Sequence, residues 1–425
     1  MNDTQNQKIM QVTEKTLVVG IDIAKKTHYA CMVDERGLLL KKPFPVFQSR
    51  QGFEFLRQEI QRAMKEFGKT DVLVGAEPTG HYGLDLRQFL HERKIPFVAV
   101  QTIHVKRSKE LDDNLQTKND KKDAIVIAKL IKDGRYNYPR HLQDVEAELR
   151  VGSTLRNRLV EERSALKNKL IRWTDIYFPE FRQVFGSFGK MALAVLEYTP
   201  LPVDFDGKSV EDLKALYRQS DGLRSVQMAS VKKLIPLLGT TIGVSEGTIM
   251  ARLEIQSLTT RFKQIERELA VLEKELTEMV QATDEYMYLS SIPGIANPTI
   301  IDLLSEVGSF THYKHPRQLE KLAGLMLRES SSGQHRGVKR LSKRGRRRLR
   351  AILYRVALPL VKHNPAFRQL HLYYTTRQEN PLKKKESMVV LCRKLLHVLF
   401  GICKSRTAFD PQRMIQDIPA LAEGL

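Results

Sequence analysis

Cysteine is almost absent from this chain: there are three in 425 residues (Cys31, Cys392 and Cys403), far apart and with no C-x-x-C pair. That excludes a disulfide framework and a cysteine-built zinc site, and it fits a reducing, cytoplasmic setting. Long apolar runs are missing too. The most apolar stretch, MVVLCRKLLHVLFGIC, is interrupted by Arg393 and Lys394, and the opening MNDTQNQKIMQVTEK has no signal-peptide core. Neither reads as a membrane segment, so no membrane partner is expected. Acid is missing from one place in particular. From Gln334 to Arg350 there are nine Lys or Arg in seventeen residues and no Asp or Glu.

What is present is enough apolar material (42%) for real cores, in a chain long enough for two or three domains. The net charge of +21 is unevenly spread: residues 1–140 carry 25 basic and 18 acidic groups, and residues 301–425 carry 25 and 9. An excess gathered in the last third is the footprint of a polyanion-binding surface, with nucleic acid the commonest polyanion.

The pattern divides the chain at 1–140, 141–284, 285–405 and a tail, 406–425. The first part reads β-β-β-α-β-α-β-α. TLVVGIDIA and HYACMVDERGLLLKKPFPV form a three-stranded meander with a turn at Glu35-Arg36-Gly37; a helix over about 52–67, the strand DVLVGAEP, a helix from about Tyr82, the strand PFVAV and a helix from about Lys121 follow. This is the layout of an α/β ribonuclease-H-like domain and of actin-like ATPase halves. The ATPase reading requires a glycine-rich second phosphate loop and an adenosine-binding segment, and neither is found. Long helices are predicted from Val145 to Trp173 and from Ile255 to Met279. In the second, Ile255, Leu258, Phe262, Ile265, Leu269, Leu272, Leu276 and Met279 recur every 3.5 residues, a coiled-coil spacing; the first has a looser stripe, Leu155, Leu159, Leu166, Leu170 and Trp173. The two helices could pair with each other antiparallel or with a second copy. The segment between them, rich in Gly and Pro, reads as a small helical insertion. Beyond residue 285, mainly helical sequence continues to about Lys404, and Pro293-Gly294-Ile295 resembles the hairpin of a helix-hairpin-helix, whose backbone N–H groups hold a phosphate.

Four acids stand where such a fold builds sites: Asp22 at the end of the first strand, Glu77 at the end of the fourth, and Asp120 and Asp123 at a helix start, on one face by their spacing of three. Together, such carboxylates repel unless a cation neutralises them, and hard oxygen ligands select Mg²⁺ or Mn²⁺, which can clamp a phosphodiester. Taken singly, Asp22 reads equally as a strand-end residue, Asp120 as an N-cap and Asp123 as its capping partner. Asp112 and Asp113 are nearby competitors. In RESSSGQHRGVKRLSKRGRRRLR a serine before glycine could meet a phosphate held by the cations behind it, or the serines could form a plain turn into a DNA-binding helix. Chemistry alone does not separate Ser330, Ser331 and Ser332.

GIDIAKKTHYACMVDERG, AEPTGHYG, TKNDKKDA, SIPGIANPTIIDLLSEVGSF and LAGLMLRESSSGQHRGVKRLSKRGRRRLRAILY, in this order, resemble the DEDD transposases of the insertion-sequence family numbered one hundred and ten, over nearly the whole chain. The resemblance implies a metal-binding set at Asp22, Glu77, Asp120 and Asp123. It further implies a catalytic serine at Ser332, with Leu327 standing where the family often has proline and three serines where it usually has one. It implies a recombinase that cuts and rejoins double-stranded donor and target DNA, guided by a structured bridge RNA, in a homo-oligomer, dimer or tetramer, that brings the acids of one subunit to the serine of another. Nucleic-acid contacts are expected from Arg336, Lys339, Arg340, Lys343, Arg344, Arg346, Arg347, Arg348, Arg350 and Gly294. The alternatives are a junction nuclease using the acids and water alone, and a non-catalytic nucleic-acid-binding protein.

Overall fold

Thr, Val and Ile favour strands at β1 (Thr16–Asp22) and β2 (Thr27–Val33), and β3 (Leu39–Phe47) keeps Pro43 and Pro45 by lying at the sheet edge; the three run as an antiparallel meander behind a short helix, α1 (Asp3–Met10). The chain then winds through α2 (Arg50–Glu66), β4 (Asp71–Ala76), α3 (Leu84–Glu92), β5 (Phe97–Val100), α4 (Thr102–Asp112), α5 (Asp120–Lys132) and a two-residue strand β6 (Tyr136–Asn137). In this computed structural model the sheet order is β3-β2-β1-β4-β5-β6, with β4 and β5 parallel to β1. The structure describes residues 3–78, 80–112, 120–140, 142–223, 225–328 and 340–415. They fall into two compact units, Met1–His141 and Leu142–Leu425.

Strand alternation sorts the first unit into two cores. Leu17, Val19 and Ile21 of β1 face Phe53, Leu56 and Ile60 of α2 and Leu86 and Phe89 of α3. Val18 of β1, with Leu73 and Val98 of β4 and β5, faces Ala124, Ile127, Ala128 and Ile131 of α5. The expected strands and helices all form, each within a few residues of its predicted bounds. The pattern did not predict α1, α4 or β6. In α4 the run HVKRSKELD has too few apolar positions to show a stripe, and among the described side chains of this run Val105 is the one buried in the core.

In the second unit α6 (Asp144–Tyr177) and α11 (Thr248–Gln281), each 34 residues, pair antiparallel within one chain. Trp173 Nε1 donates to Ala251 O (3.0 Å), Arg163 meets Glu266 midway (3.2 Å) and Arg156 meets Glu273 further along (2.7 Å). The 3.5-residue stripe of α11 is buried at Ile255, Leu258, Phe262, Ile265, Leu269 and Leu276, and each such burial contributes about 2 kcal/mol. On α6, Leu155 is instead exposed.

The Gly- and Pro-rich stretch between them folds as α7 (Pro179–Val184), α8 (Lys190–Tyr198), α9 (Val210–Tyr217) and α10 (Met228–Leu238), packed around Phe178, Phe181, Phe205 and Tyr217. The chain ends in α12 (Tyr286–Ser290), α13 (Asn297–Val307), α14 (Pro316–Ala323), the strand pair β7 (Leu327–Arg328) and β8 (Arg340–Leu341), α15 (Arg347–His363), α16 (Pro365–Thr376), α17 (Lys384–Ser405) and α18 (Pro411–Ile415). These share one core with Leu276 and Val280 of α11. The tail packs in part, since Met414 and Ile415 are buried in that core.

Candidate active site

The first unit brings its four expected acids to one cleft. Asp22 is the last residue of β1 and lies two positions beyond Gly20, so both point to the α5 face of the sheet. Gly20 has a mechanical reason to be glycine: a Cβ there would stand 2.3 Å from Ala124 O and 2.4 Å from Ala128 N. Its absence lets α5 lie against β1. Gly75 pairs with Gly20 across the parallel ladder, and a Cβ at Gly75 would strike Ile131 Cδ1 at 2.7 Å. Two residues beyond Gly75 comes Glu77, directly after β4. The helix admitted by the two glycines begins with Asp120 and carries Asp123 in its first turn.

A cavity of about 580 Å³ is lined by all four acids and by Lys25, Lys106, Lys109, Gly80 and Tyr82. Burial pushes the Asp22 carboxyl up to about 6, and the charges of Asp123, Asp120 and Glu77 add to that, against the opposing charge of Lys109. Lys109 on α4 is ion-paired with Asp123. Sequence reasoning missed this lysine together with its helix. Asp123 is buried, and its Oδ1 has no hydrogen-bond partner among the described residues. Among the described residues, no three Asp, Glu, His or Cys side chains already stand in a ligating arrangement. The acids thus share a cleft without forming a coordination sphere, and part of one carboxylate is engaged by Lys109. The donor set still fits a hard divalent cation: it is all oxygen, anionic enough to raise the proton affinity of Asp22, and includes an unpartnered buried oxygen on Asp123. Asp112 closes α4, and Asp113 lies outside the described residues.

In the second unit β7 and β8 pair Leu327 with Leu341 and Arg328 with Arg340. Ser330, Ser331, Ser332, Arg336 and Lys339, between those strands in sequence, lie outside the described residues. Of the remaining cations, Arg340, Lys343, Arg344 and Arg347 are exposed. Three others are tied to protein atoms. Arg346 bonds Glu306, Arg348 donates to Ser153 O (2.8 Å) and reaches Asp302 at 3.5 Å, and Arg350 donates to Ala323 O (2.8 Å). Gly294 is exposed between α12 and α13 with a left-handed φ of 97°, and the neighbouring Pro293 O accepts from Asn364 Nδ2 (3.2 Å). No helix among the described residues is long and apolar enough to cross a membrane.

Comparison with known proteins adds what geometry alone does not. A transposase family model of the DEDD type matches residues 19–179, spanning the acidic cleft, and the model described as "Transposase IS116/IS110/IS902 family" matches residues 286–372. The chain is 24% identical to the transposase for insertion sequence element IS1111A of Coxiella burnetii, over 81% of this chain and 78% of that one. It is 22% identical to an uncharacterized 43.6 kDa protein of insertion element IS110 from Streptomyces coelicolor, over 92% and 95% of the two chains. To the pilin gene-inverting protein of Moraxella lacunata it is also 22% identical, over 92% and 97%. With the two family models together covering well over half of its length, the chain belongs to the IS110 family of transposases, enzymes that cut and rejoin DNA.

Proposed function

We propose that the first unit is a ribonuclease-H-like (RuvC-like) metal site and that the protein breaks and rejoins DNA through a phosphoserine intermediate. The observation that carries this reading is the convergence of Asp22, Glu77, Asp120 and Asp123 on one cleft, with the Asp22 carboxyl pushed up to about 6. The strand order supports it: an antiparallel meander continued by parallel strands, with two acids leaving the adjacent central strands. The four carboxylates would hold Mg²⁺ or Mn²⁺, which supplies Lewis-acid charge beside a phosphodiester. Lys25 and Lys106 on the cleft wall supply positive charge for a strand phosphate, and burial of Asp123 keeps water from one of its oxygens.

Family resemblance assigns the nucleophile to Ser332. Its Oγ forms a bond to phosphorus, one bridging P–O bond breaks, and a strand end keeps a free hydroxyl. Attack by a hydroxyl of another strand reverses the exchange and frees the serine, so no ATP is needed. The same resemblance assigns donor and target choice to base pairing with a structured bridge RNA. It assigns completion of the site to a dimer or tetramer in which the antiparallel helices α6 and α11 serve as a coiled-coil spacer. The exposed Arg340, Lys343, Arg344 and Arg347 are suited to nucleic-acid phosphates, and Gly294 to a backbone contact. In this reading the serine-bearing part begins at residue 285, after the paired helices, and the reaction takes place in the cytoplasm.

The test is to trap the protein on nicked DNA and map the modified residue by mass spectrometry. A phosphorylated Ser332 in peptide 329–336 is expected, together with loss of cleavage by roughly a thousandfold in Asp22→Asn. Cutting without any protein–DNA adduct would leave the acid-only nuclease in its place.

A further inference from the structure

Two segments form the rim of the acidic cleft: residues 23–26, directly after Asp22, and residues 80–83, which begin three positions after Glu77. Ala24, Lys25, Gly80 and Tyr82 from these segments line it. Both are tied to one buried side chain that belongs to neither. His28 on β2 is fully buried, with its ring stacked on Phe53 of α2 at 6.1 Å between centroids. Its Nδ1 accepts from the Ala24 N–H (3.1 Å). A backbone N–H can only donate, so Nδ1 carries no proton and the ring's hydrogen sits on Nε2, from which it is donated to Gln48 Oε1. Gln48 in turn donates from Nε2 to Tyr82 O (3.1 Å) and Asp85 Oδ2 (3.1 Å), and its own backbone N–H donates to Lys26 O (3.0 Å). Burial holds the imidazole below the usual histidine pKa, in the neutral form this chain of bonds requires.

We infer that His28 is a positioning residue for the acidic cleft: through Ala24 on one side and Gln48 and Tyr82 on the other, it holds the two segments that follow Asp22 and Glu77 at a fixed separation. Every bond has one direction, set by the obligate backbone donor at Ala24. A leucine of similar bulk fills the space yet cannot accept from Ala24 or donate to Gln48. The consequence for metal binding rests on the proposed role of the cleft; the tether itself does not.

The experiment compares full-length wild type with His28→Leu and Gln48→Leu. Amide exchange followed by mass spectrometry is read on segments 23–26 and 80–83 without metal. Mg²⁺ affinity is read by calorimetry, and DNA affinity and cleavage on supercoiled plasmid. In His28→Leu both rim segments are expected to exchange at least about tenfold faster while β1 and β4 remain protected. Mg²⁺ binding weakens by about tenfold and cleavage falls in step, with plasmid affinity within about twofold of wild type. Gln48→Leu frees the 80–83 segment and leaves 23–26 less affected, and it serves as the test should His28→Leu not fold. Unchanged exchange at both rims in a folded variant overturns the tether. Faster exchange with unchanged Mg²⁺ affinity, where Asp22→Asn does abolish Mg²⁺ binding, overturns the positioning role. Should Asp22→Asn leave Mg²⁺ binding and cleavage intact, the metal reading of the cleft fails instead.

Discussion

Asp302 and Glu306 on α13 are 6% and 4% exposed and face the guanidiniums of Arg150, Arg156, Arg346, Arg348 and Arg355 at 3.0 to 3.9 Å. Asp302 also accepts from Ser153 Oγ at 2.7 Å. In the cleft of the first unit the proportions are reversed. Four acids converge there; among the described residues their ion pair is that of Asp123 with Lys109, and one buried oxygen of Asp123 has no partner. The side chains are of the same kind, but among the described residues two acids meet five arginines in one set, while in the other four acids share a cleft with three lysines, one of them ion-paired. A saturated pair locks helices together, here α6, α13 and α15. An undersaturated set keeps capacity for a ligand of opposite charge. Burial alone does not separate the two sets of acids; the cations paired with them among the described residues do.

Removing a charge from each set puts this contrast to the test. Glu306→Gln leaves Arg150 and Arg346 facing a neutral amide in a buried setting, and a loss of about 3 kcal/mol in the unfolding free energy of the second unit is expected from denaturant titration. Asp22→Asn is expected to do the opposite to the first unit at neutral pH. The folded-state pKa of Asp22, about 6, lies above the 3.8 of a free aspartate, so between those values the folded protein holds the extra proton. The stability this contributes is fully present below about 3.8 and is lost as pH rises through about 6. Asparagine has no such dependence. The variant should therefore be more stable than wild type above pH 6, on the order of 1 kcal/mol once solvent screening of this half-buried group is allowed for. The gap should close toward pH 4, as measured by thermal melts across that range. A gap that widens toward acid would show the charges of Asp22 and its neighbours to be mutually stabilised.

Much of this was legible beforehand because it rests on local rules. Strand alternation and the position of Asp22 and Glu77 at strand ends predict the meeting of the acids. A further signal lies in Gly20-x-Asp22 and Gly75-x-Glu77, which repeat one pattern: a glycine that admits α5, two residues before an acid of the cleft. The 3.5-residue spacing of α11 marks a buried stripe, and the antiparallel partner was one of two choices left open. What spacing cannot reveal is the destination of each charge. Arg348 looks like its neighbour Arg347 in sequence, yet Asp302, 46 positions away, draws it inward, and that choice is made by the packing of α13 on α15. Lys109 was hidden for the same reason: its helix has almost no apolar face, so its existence depends on tertiary contact with α5.

Lys109 is also the smallest lever on the contrast. It is the cleft's built-in counterion, and its positive charge opposes both a proton on Asp22 and a divalent cation among the acids. Lys109→Met removes that opposition while keeping the length of the side chain. Metal and proton then compete for the same carboxylates with equal relief, and pH decides which gains. At pH 7.5, well above the Asp22 value of about 6, few protons compete, so Mg²⁺ affinity should rise roughly fivefold by calorimetry. At pH 6 the variant's Asp22 holds its proton more tightly than in wild type, and the gain should shrink. Affinity that falls at pH 7.5 on losing Lys109 would mean that the lysine organises Asp123 for the ion and does not compete with it, and the cleft would then resemble the saturated set on α13 more closely than its charges suggest.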